Sequence, residues 1–300
     1  MRKLFFLTVL FITAASVPAA PLPLADPFIL LHEGTYYAYG THANNGIEVY
    51  TSKDLINWQY AALALKKGDV WGKKWFWAPE VYKTADGGFL MYYSAEEHIC
   101  AARSTSPLGP FTQKVKKPMY TQGKAIDHTL FIDTDGKARI YFSRFMRGLE
   151  IWTAEVESDL VTIKESTLKL CIKPQQPWER KQGSVNEGAF VLKHNGKYYL
   201  TYSGNGYTSQ LYGIGCAVAD SPEGPWRKDE RNPLLQKPGT LNGTGHHSFF
   251  TDINGRLKVA FHAHRDEKNI HPRAMYITDA EFKDDKLHIS KDYTPARLQK

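Results

Sequence analysis

Four carboxylates and a histidine stand at or near the start of short apolar runs spread along the whole chain. The runs read Asp26-Pro-Phe-Ile-Leu-Leu, Ala78-Pro-Glu80-Val-Tyr, Asp127-His-Thr-Leu-Phe-Ile, Glu187-Gly-Ala-Phe-Val-Leu and His246-His-Ser-Phe-Phe. Carboxyl groups carried on separate strands can face one another across a cavity, which neighbours on one strand cannot do. Such a set suits bond cleavage by water: one acid protonates the leaving oxygen, a second activates the water, and a third tunes the first. A single acid at a strand start would more simply cap the strand or pair with an arginine. Four such acids in equivalent repeat positions point instead to one shared site, because burying unpaired charge is costly unless a ligand or a reaction uses it. From the residues alone, which acid takes which role stays open.

The elements that would position them repeat. Each apolar run is followed by a turn carrying Gly34, Gly88, Gly136, Gly196 or Gly255, and then by an aromatic-rich run such as Thr35-Tyr-Tyr-Ala-Tyr or Tyr198-Tyr-Leu-Thr-Tyr. Intervals of about 50 to 60 residues between short-strand units are the pattern of propeller blades. Five repeats predict an all-β, five-bladed β-propeller, since one blade alone cannot bury both of its faces. First strands of blades line the central channel, so their opening residues would converge on one end of it. A second repeat supports the register: Ser106-Pro-Leu-Gly-Pro-Phe111 matches Ser221-Pro-Glu-Gly-Pro-Trp226. Its Pro and Gly fix a turn, and its aromatic would pack back on the blade.

Residues 1–20 read as an export signal rather than fold. Met1-Arg2-Lys3 is basic, Leu4 to Ala15 is mainly apolar, and Val17-Pro-Ala-Ala20 offers small residues for cleavage. The apolar run is short for a membrane span. The expected product is a periplasmic or secreted protein, with residues 21–300 forming one catalytic propeller and with no membrane span. The 38 Lys and Arg against 31 Asp and Glu give a net charge of +7. The basic residues read as spread among acids on a solvated surface, without the aromatic-interleaved stripe of a nucleic-acid face. The excess would at most ease the approach of acidic polysaccharides. The three cysteines cannot all pair within one molecule; Cys100 and Cys216 read as small buried strand residues, and none has zinc-site spacing.

Asp26 in Ala-Asp-Pro, Trp77-Ala-Pro-Glu80-Val, Ile126-Asp127-His, Asn186-Glu187-Gly and Gly243-Thr-Gly-His246-His resemble, in order, the blade-opening motifs of glycoside hydrolase family 43. The resemblance spans nearly the whole chain after the signal. It implies a five-bladed propeller that hydrolyses furanosides and pyranosides of plant polysaccharides with inversion. It further implies Asp26 as general base, Glu187 as general acid, and Asp127 as the residue that tunes the acid and orients substrate. Inversion asks for two carboxyls roughly 6.5–9.5 Å apart, with room for water. A carboxylate beside the acid would raise its pKa by like-charge repulsion.

Around these acids, Trp77 is expected to stack on a sugar face, and Phe28 to edge the pocket from a core strand. Glu80 either binds a sugar hydroxyl in the channel or pairs with an arginine. Arg273, in His271-Pro-Arg-Ala-Met-Tyr276, resembles the family's arginine that reaches the active-site carboxylates. His246 is expected to contact substrate. By resemblance it would also contact a hydrated axial cation, a possible calcium, held mainly by water because one imidazole is a poor calcium site. His247 should point to the other strand face. No cofactor is otherwise required. His262, His264 and His271 suggest a zinc triad less than structural or pocket-lining roles.

The leading expectation is an exo-acting α-L-arabinofuranosidase, working on a carbohydrate substrate as a monomer. β-Xylosidase and galactan- or galactofuranose-cleaving activities are the alternatives. A non-catalytic sugar-binding propeller would have no need of Asp26, Asp127 and Glu187 together. Sialidase Asp boxes and the Asn-Asp-Pro-Asn pattern of fructan hydrolases are absent from the sequence.

Overall fold

The computed structural model describes residues 20–299, so the export signal read in residues 1–20 lies outside the described residues but for its last position. Five small antiparallel sheets form a five-bladed β-propeller. The inner strands are Ala25–His32, Trp77–Lys83, Ala125–Ile132, Asn186–His194 and Gly245–Thr251. Their antiparallel neighbours are Thr35–Thr41, Phe89–Ala95, Ala138–Met146, Lys197–Gly204 and Leu257–Ala263. The Gly-containing turns of the repeat lie between the two, with Gly34 at φ +68°, a conformation glycine adopts without a Cβ penalty.

Five buried clusters form the core, and each is shared by two neighbouring blades. Phe28, Tyr39 and Val49 of blade one meet Val81, Met91 and Tyr93 of blade two. Tyr199, Ile214 and Cys216 of blade four meet Phe249, Val259 and Phe261 of blade five. Aromatic and branched residues on both faces of the strands therefore have partners only when the ring closes, and each fully buried large side chain is worth about 1.5–3 kcal/mol. All three cysteines are free, with Cys100 and Cys216 buried as expected.

The Ser-Pro-x-Gly-Pro repeat does more than end a strand. Tyr39 donates its hydroxyl to the Pro107 carbonyl at 2.5 Å, and Tyr141 does the same to Pro222 at 2.6 Å. Each turn is thereby tied to the blade before it, while Phe111 and Trp226 pack on that blade's side. The ring is closed by both ends of the described chain. The amide of Leu22 donates to Ala296 and that of Met275 to Leu22, while Arg297–Leu298 pairs in parallel with Asn57–Trp58.

Candidate active site

Every inner strand carries the same irregularity. The pairing register slips by one residue between Ala25 and Phe28, Trp77 and Glu80, Ile126 and Thr129, Glu187 and Phe190, and Gly245 and Ser248. The first extra residue of each bulge has a positive φ: Asp26 at 49°, Ala78 at 43°, Asp127 at 54°, Gly188 at 59° and His246 at 41°. Non-glycine residues in this region cost of order 1 kcal/mol or more and persist where the surroundings over-determine them. The gain is direction, because a bulge re-aims a side chain that the pleat would otherwise send into a sheet face. Asp26, Asp127 and His246 thus occupy one equivalent position in three blades.

That register corrects the sequence expectation of four equivalent positions. Glu187 stands one residue before the bulge position of its blade, and Glu80 two residues after it. In blade four the bulge residue is Gly188, where an added Cβ would lie 3.3 Å from the His246 ring. A side chain there would crowd the imidazole.

The bulge amides are held from the preceding blade. The amide of Ala78 donates to Thr41 Oγ1 at 3.0 Å, that of Asp127 to Ser94 Oγ at 3.2 Å, and that of His246 to Ser203 Oγ at 2.7 Å. Asp26 follows the same plan with a different chemistry, its amide lying 3.1 Å from Nδ1 of His262. The corresponding pair in blade four is Ser143 and Gly188, and there the buried Ser143 hydroxyl has no partner among the described residues. In that blade the functional side chain is displaced by one position, and the bulge residue has no side chain to orient.

At the mouth of the channel these residues border a cavity of about 750 Å³. Its floor is Asp26, Asp127, Glu187, His246 and Arg273; its wall includes Trp77, Phe145 and Tyr207. Arg273 donates from Nη1 to Asp26 Oδ1 at 2.9 Å and from Nη2 to Oδ2 at 3.4 Å, a two-pronged grip on the carboxylate. His246 Nδ1 stands 3.4 Å from Asp26 Oδ1 and 3.9 Å from Asp127 Oδ2, so one imidazole bridges both acids. Tyr212 donates to Glu187 Oε1 at 2.8 Å, and its ring stacks on His262 with centroids 5.7 Å apart.

The three acids sit in different electrostatic conditions. Burial pushes the Asp26 carboxyl up, but Arg273, His246 and His262 together outweigh it and hold the group well below the usual carboxylate range. Burial is the largest cause lifting Glu187 to about 7; the Tyr212 hydrogen bond opposes it and the Asp26 charge adds to it. Burial and the charges of Glu187 and Asp26 raise Asp127. Asp26 is therefore the ionised member of the set at neutral pH, while burial makes Glu187 and Asp127 hold their protons to higher pH than ordinary carboxyls do. The expected like-charge effect on the acid is present, but it comes second to burial and from Asp26.

Most of the expected site residues meet here. Asp26, Asp127, Glu187, Trp77, His246 and Arg273 all border the cavity; Phe28 does not. It is buried in the core, edge-on to Tyr82, because it lies beyond the bulge on the strand's packed face. Glu80 is also below the cavity, bonded to Tyr82, and burial raises it to about 8, so it is an uncharged acid at neutral pH. Sequence reasoning missed Tyr212, Tyr207 and Phe145, which lie in connections or at a strand end with no repeat to mark them. His262 was expected to be structural or pocket-lining, without its contacts to Asp26 and Tyr212.

Beneath His246 a chamber of about 10 Å³ is bordered by Glu80, His128, Gly188 and His247 among others. Both nitrogens of His128 and Nδ1 of His247 are buried without partners among the described residues. His247 therefore borders the axis rather than turning wholly away, since the bulge breaks strict alternation; its Nε2 bonds Thr201 Oγ1 at 2.7 Å. The residues do not fit a hydrated calcium. Calcium takes six to eight oxygens, the unpaired donors here are nitrogens, and the space suits about one water. No group of three or more His, Cys, Asp or Glu among the described residues is arranged to hold a metal, the zinc-triad histidines included. His264 instead donates Nε2–H to the Tyr207 carbonyl at 2.7 Å.

The family model for glycosyl hydrolases family 43 matches residues 16–287. A solved structure of an endo-1,4-β-xylanase from Bacteroides thetaiotaomicron superposes with a TM-score of 0.91 at 46% identity, covering 95% of this chain and 100% of that one. A thermostable family-43 glycoside hydrolase structure gives a TM-score of 0.82 at 36% identity, covering 95% and 98%. Among curated proteins, the β-D-galactofuranosidase xynD of Aspergillus niger is 27% identical, over 83% of this chain and 76% of its own length. The extracellular exo-α-(1→5)-L-arabinofuranosidase ArbA of Cellvibrio japonicus is 24% identical, over 84% and 82%.

Proposed function

The chain belongs to glycosyl hydrolases family 43 and is a glycoside hydrolase, and from that premise we propose that it is an inverting, exo-acting enzyme that removes terminal α-L-arabinofuranosyl units. The observation that carries this reading is the cavity floor, where an ionised Asp26 and a Glu187 that holds its proton up to about pH 7 come from different blades. Glu187 Oε1 is occupied by Tyr212, which leaves Oε2 to carry the proton. In the reaction that proton passes to the glycosidic oxygen as the bond from that oxygen to the anomeric carbon breaks. Water adds to the opposite face of the carbon, and its proton passes to Asp26. Glu187 ends ionised and Asp26 protonated, and exchange with solvent resets both.

Arg273 keeps Asp26 charged, and His246 sets the spacing between Asp26 and Asp127. Asp127 orients the sugar from the third blade. The names of ArbA and of other arabinofuranosidases among the relatives support the arabinose assignment. A second reading, cleavage of β-xylosidic bonds, is favoured by the 46% identity to the endo-1,4-β-xylanase structure. The basic and apolar start of the chain and the extracellular relatives support export. Among the described residues, no helix is long and apolar enough to cross a membrane.

Hydrolysis of a panel of nitrophenyl glycosides tests this. Release from the α-L-arabinofuranoside above all others is expected; preference for the β-D-xyloside transfers the assignment to the second reading, and no release from any of them removes the exo-hydrolase.

A further inference from the structure

Many basic side chains pair with acids as expected, but in one place folding gathers them. Two segments some 40 residues apart in the chain lie side by side beside the cavity. The amide of Trp71 donates to Gln113 Oε1 at 2.7 Å, that of Gln113 to the Asp69 carbonyl at 3.5 Å, and Lys116 Nζ to the Gly68 carbonyl. One segment carries Lys66-Lys67 and Lys73-Lys74; the other carries Lys114, Lys116 and Lys117. All of these are exposed, and none forms an ion pair with a carboxylate among the described residues. The sole acid within the two segments is the exposed Asp69. By contrast Lys124, nearer the cavity, is paired with Glu97.

The cluster is continuous with the aromatic wall. Trp77 borders the cavity, Trp75 stacks on it with centroids 5.6 Å apart and planes 15° apart, and Lys74 Nζ lies 3.9 Å over the Trp75 ring. Trp75 remains 44% exposed. The first segment is on the cavity face, and the second lies against its outer side. Lys66 pairs with Gly46 at the end of blade one where Thr41 and His42 border the cavity, and the chain then crosses to Trp77 at the opening of blade two.

Like charges held together repel one another, and the two acids beside them, Asp69 and Glu96, whose Oε1 accepts from the Lys73 amide at 3.0 Å, do not balance seven lysines. A polyanion laid over them would. The charges are all lysines, compact and flexible, without the rigid fork that fixes one phosphate or carboxylate; this suits a polymer whose charges repeat rather than a single anion. The adjoining exposed indole offers a flat apolar face for a sugar ring. We propose that this face binds a uronate-bearing polysaccharide, holding the acidic part of the chain whose terminal sugar enters the cavity. This rests on the glycoside hydrolase reading and names the class of polymer on which that activity is used.

Binding can be measured without turnover, which separates this proposal from the hydrolase assignment. The purified protein is run in native affinity gels cast with polygalacturonate, with the same polymer after carboxyl reduction, with neutral linear arabinan, and with single-stranded DNA. Retardation by polygalacturonate beyond that by the reduced polymer is expected, weakening at least tenfold in apparent affinity between low and high salt. The K66Q/K67Q/K116Q/K117Q variant should lose most of it, and the charge-keeping K66R/K67R/K116R/K117R variant should retain it at an unchanged melting temperature. Nitrophenyl glycoside hydrolysis, run in parallel, reports on the catalytic reading alone. The proposal is overturned if polygalacturonate does not retard the wild type, or if the glutamine variant binds it as well. Equal retardation by DNA and polygalacturonate also overturns it, as it would show attraction to any polyanion.

Discussion

Nδ1 of His262 lies 3.1 Å from the amide of Asp26 and 3.2 Å from its Oδ1. Three other blades fill the equivalent place with a hydroxyl from Thr41, Ser94 or Ser203. A hydroxyl could hold the amide equally well. It could not also reach Arg273, whose Nη1 is 3.3 Å from His262 Nε2, or present a ring face to Tyr212. One neutral imidazole, kept so chiefly by burial, thus touches the base, the base's cation and the donor to the acid.

Replacing His262 by serine restores the hydroxyl pattern of the other blades and removes the two contacts peculiar to histidine. H262S is expected to fold and to lower kcat about tenfold or more with little change in KM, since the group acts on positioning rather than on ground-state binding. The acid limb of the kcat/KM profile should move to higher pH, because Asp26 loses a partner that lowers its pKa. H262A should in addition lose about 1–3 kcal/mol of stability from the unpaired amide. An unmoved acid limb, with equal melting temperatures for the two variants, would reduce His262 to packing.

Activity should fall with rising pH through the titration of Glu187. The acid must be protonated to donate, and its carboxyl is held at about 7. Above that value kcat/KM should drop about tenfold per pH unit. Asp26, depressed well below 3.8, stays ionised across the same range and imposes no limb near neutrality. E187Q should lose the basic limb together with most activity on natural glycosides, and should be less impaired on substrates with very good leaving groups. A basic limb that survives in E187Q assigns it to another group.

The first sugar formed should carry the inverted anomeric configuration, as water held by Asp26 attacks opposite the leaving group. Proton NMR in the first moments of hydrolysis, before mutarotation, decides this. A retained anomer would require a covalent nucleophile.

Removing Arg273 should expose how much of Asp26's state depends on it. R273A leaves a buried carboxylate without its cation, a change that typically costs about 3–5 kcal/mol. The folded pKa of Asp26 is depressed, so this stabilisation is present above the unfolded value and lost as pH falls through the folded one. Thermal melts of wild type and R273A should therefore differ most at neutral pH and converge in acid. Curves that stay parallel at every pH would place the stabilisation elsewhere, for example in the packing of Arg273 over Tyr207.

Chelation should leave the enzyme as it was. The chamber under His246 is too small for an ion with its waters, and its unpaired donors are nitrogens. Melting temperature and kcat/KM after exhaustive EDTA treatment are expected to match the untreated protein. A loss that calcium restores would show that the chamber opens to admit an ion.

The blade number, the order of the five openings and the three acids were legible in the sequence. A propeller writes its repeat into a local alternation of strand, glycine turn and strand, and each opening residue marks itself by charge against an apolar run. The tertiary structure decided what no local pattern encodes. Bulges set Asp26, Asp127 and His246 on one ring while leaving Glu187 one place back, a register that depends on pairing with the second strand. Phe28 is the core-strand residue expected, but the same slip keeps it from edging the cavity. Tyr212 reaches Glu187 across 25 residues, His262 reaches Asp26 across 236, and the lysines of two separate segments become one surface. The first of these depends on the pairing of strands within one blade, the lysine surface on the packing of neighbouring blades, and the reach of His262 to Asp26 on closure of the ring; none of them follows from proximity along the chain.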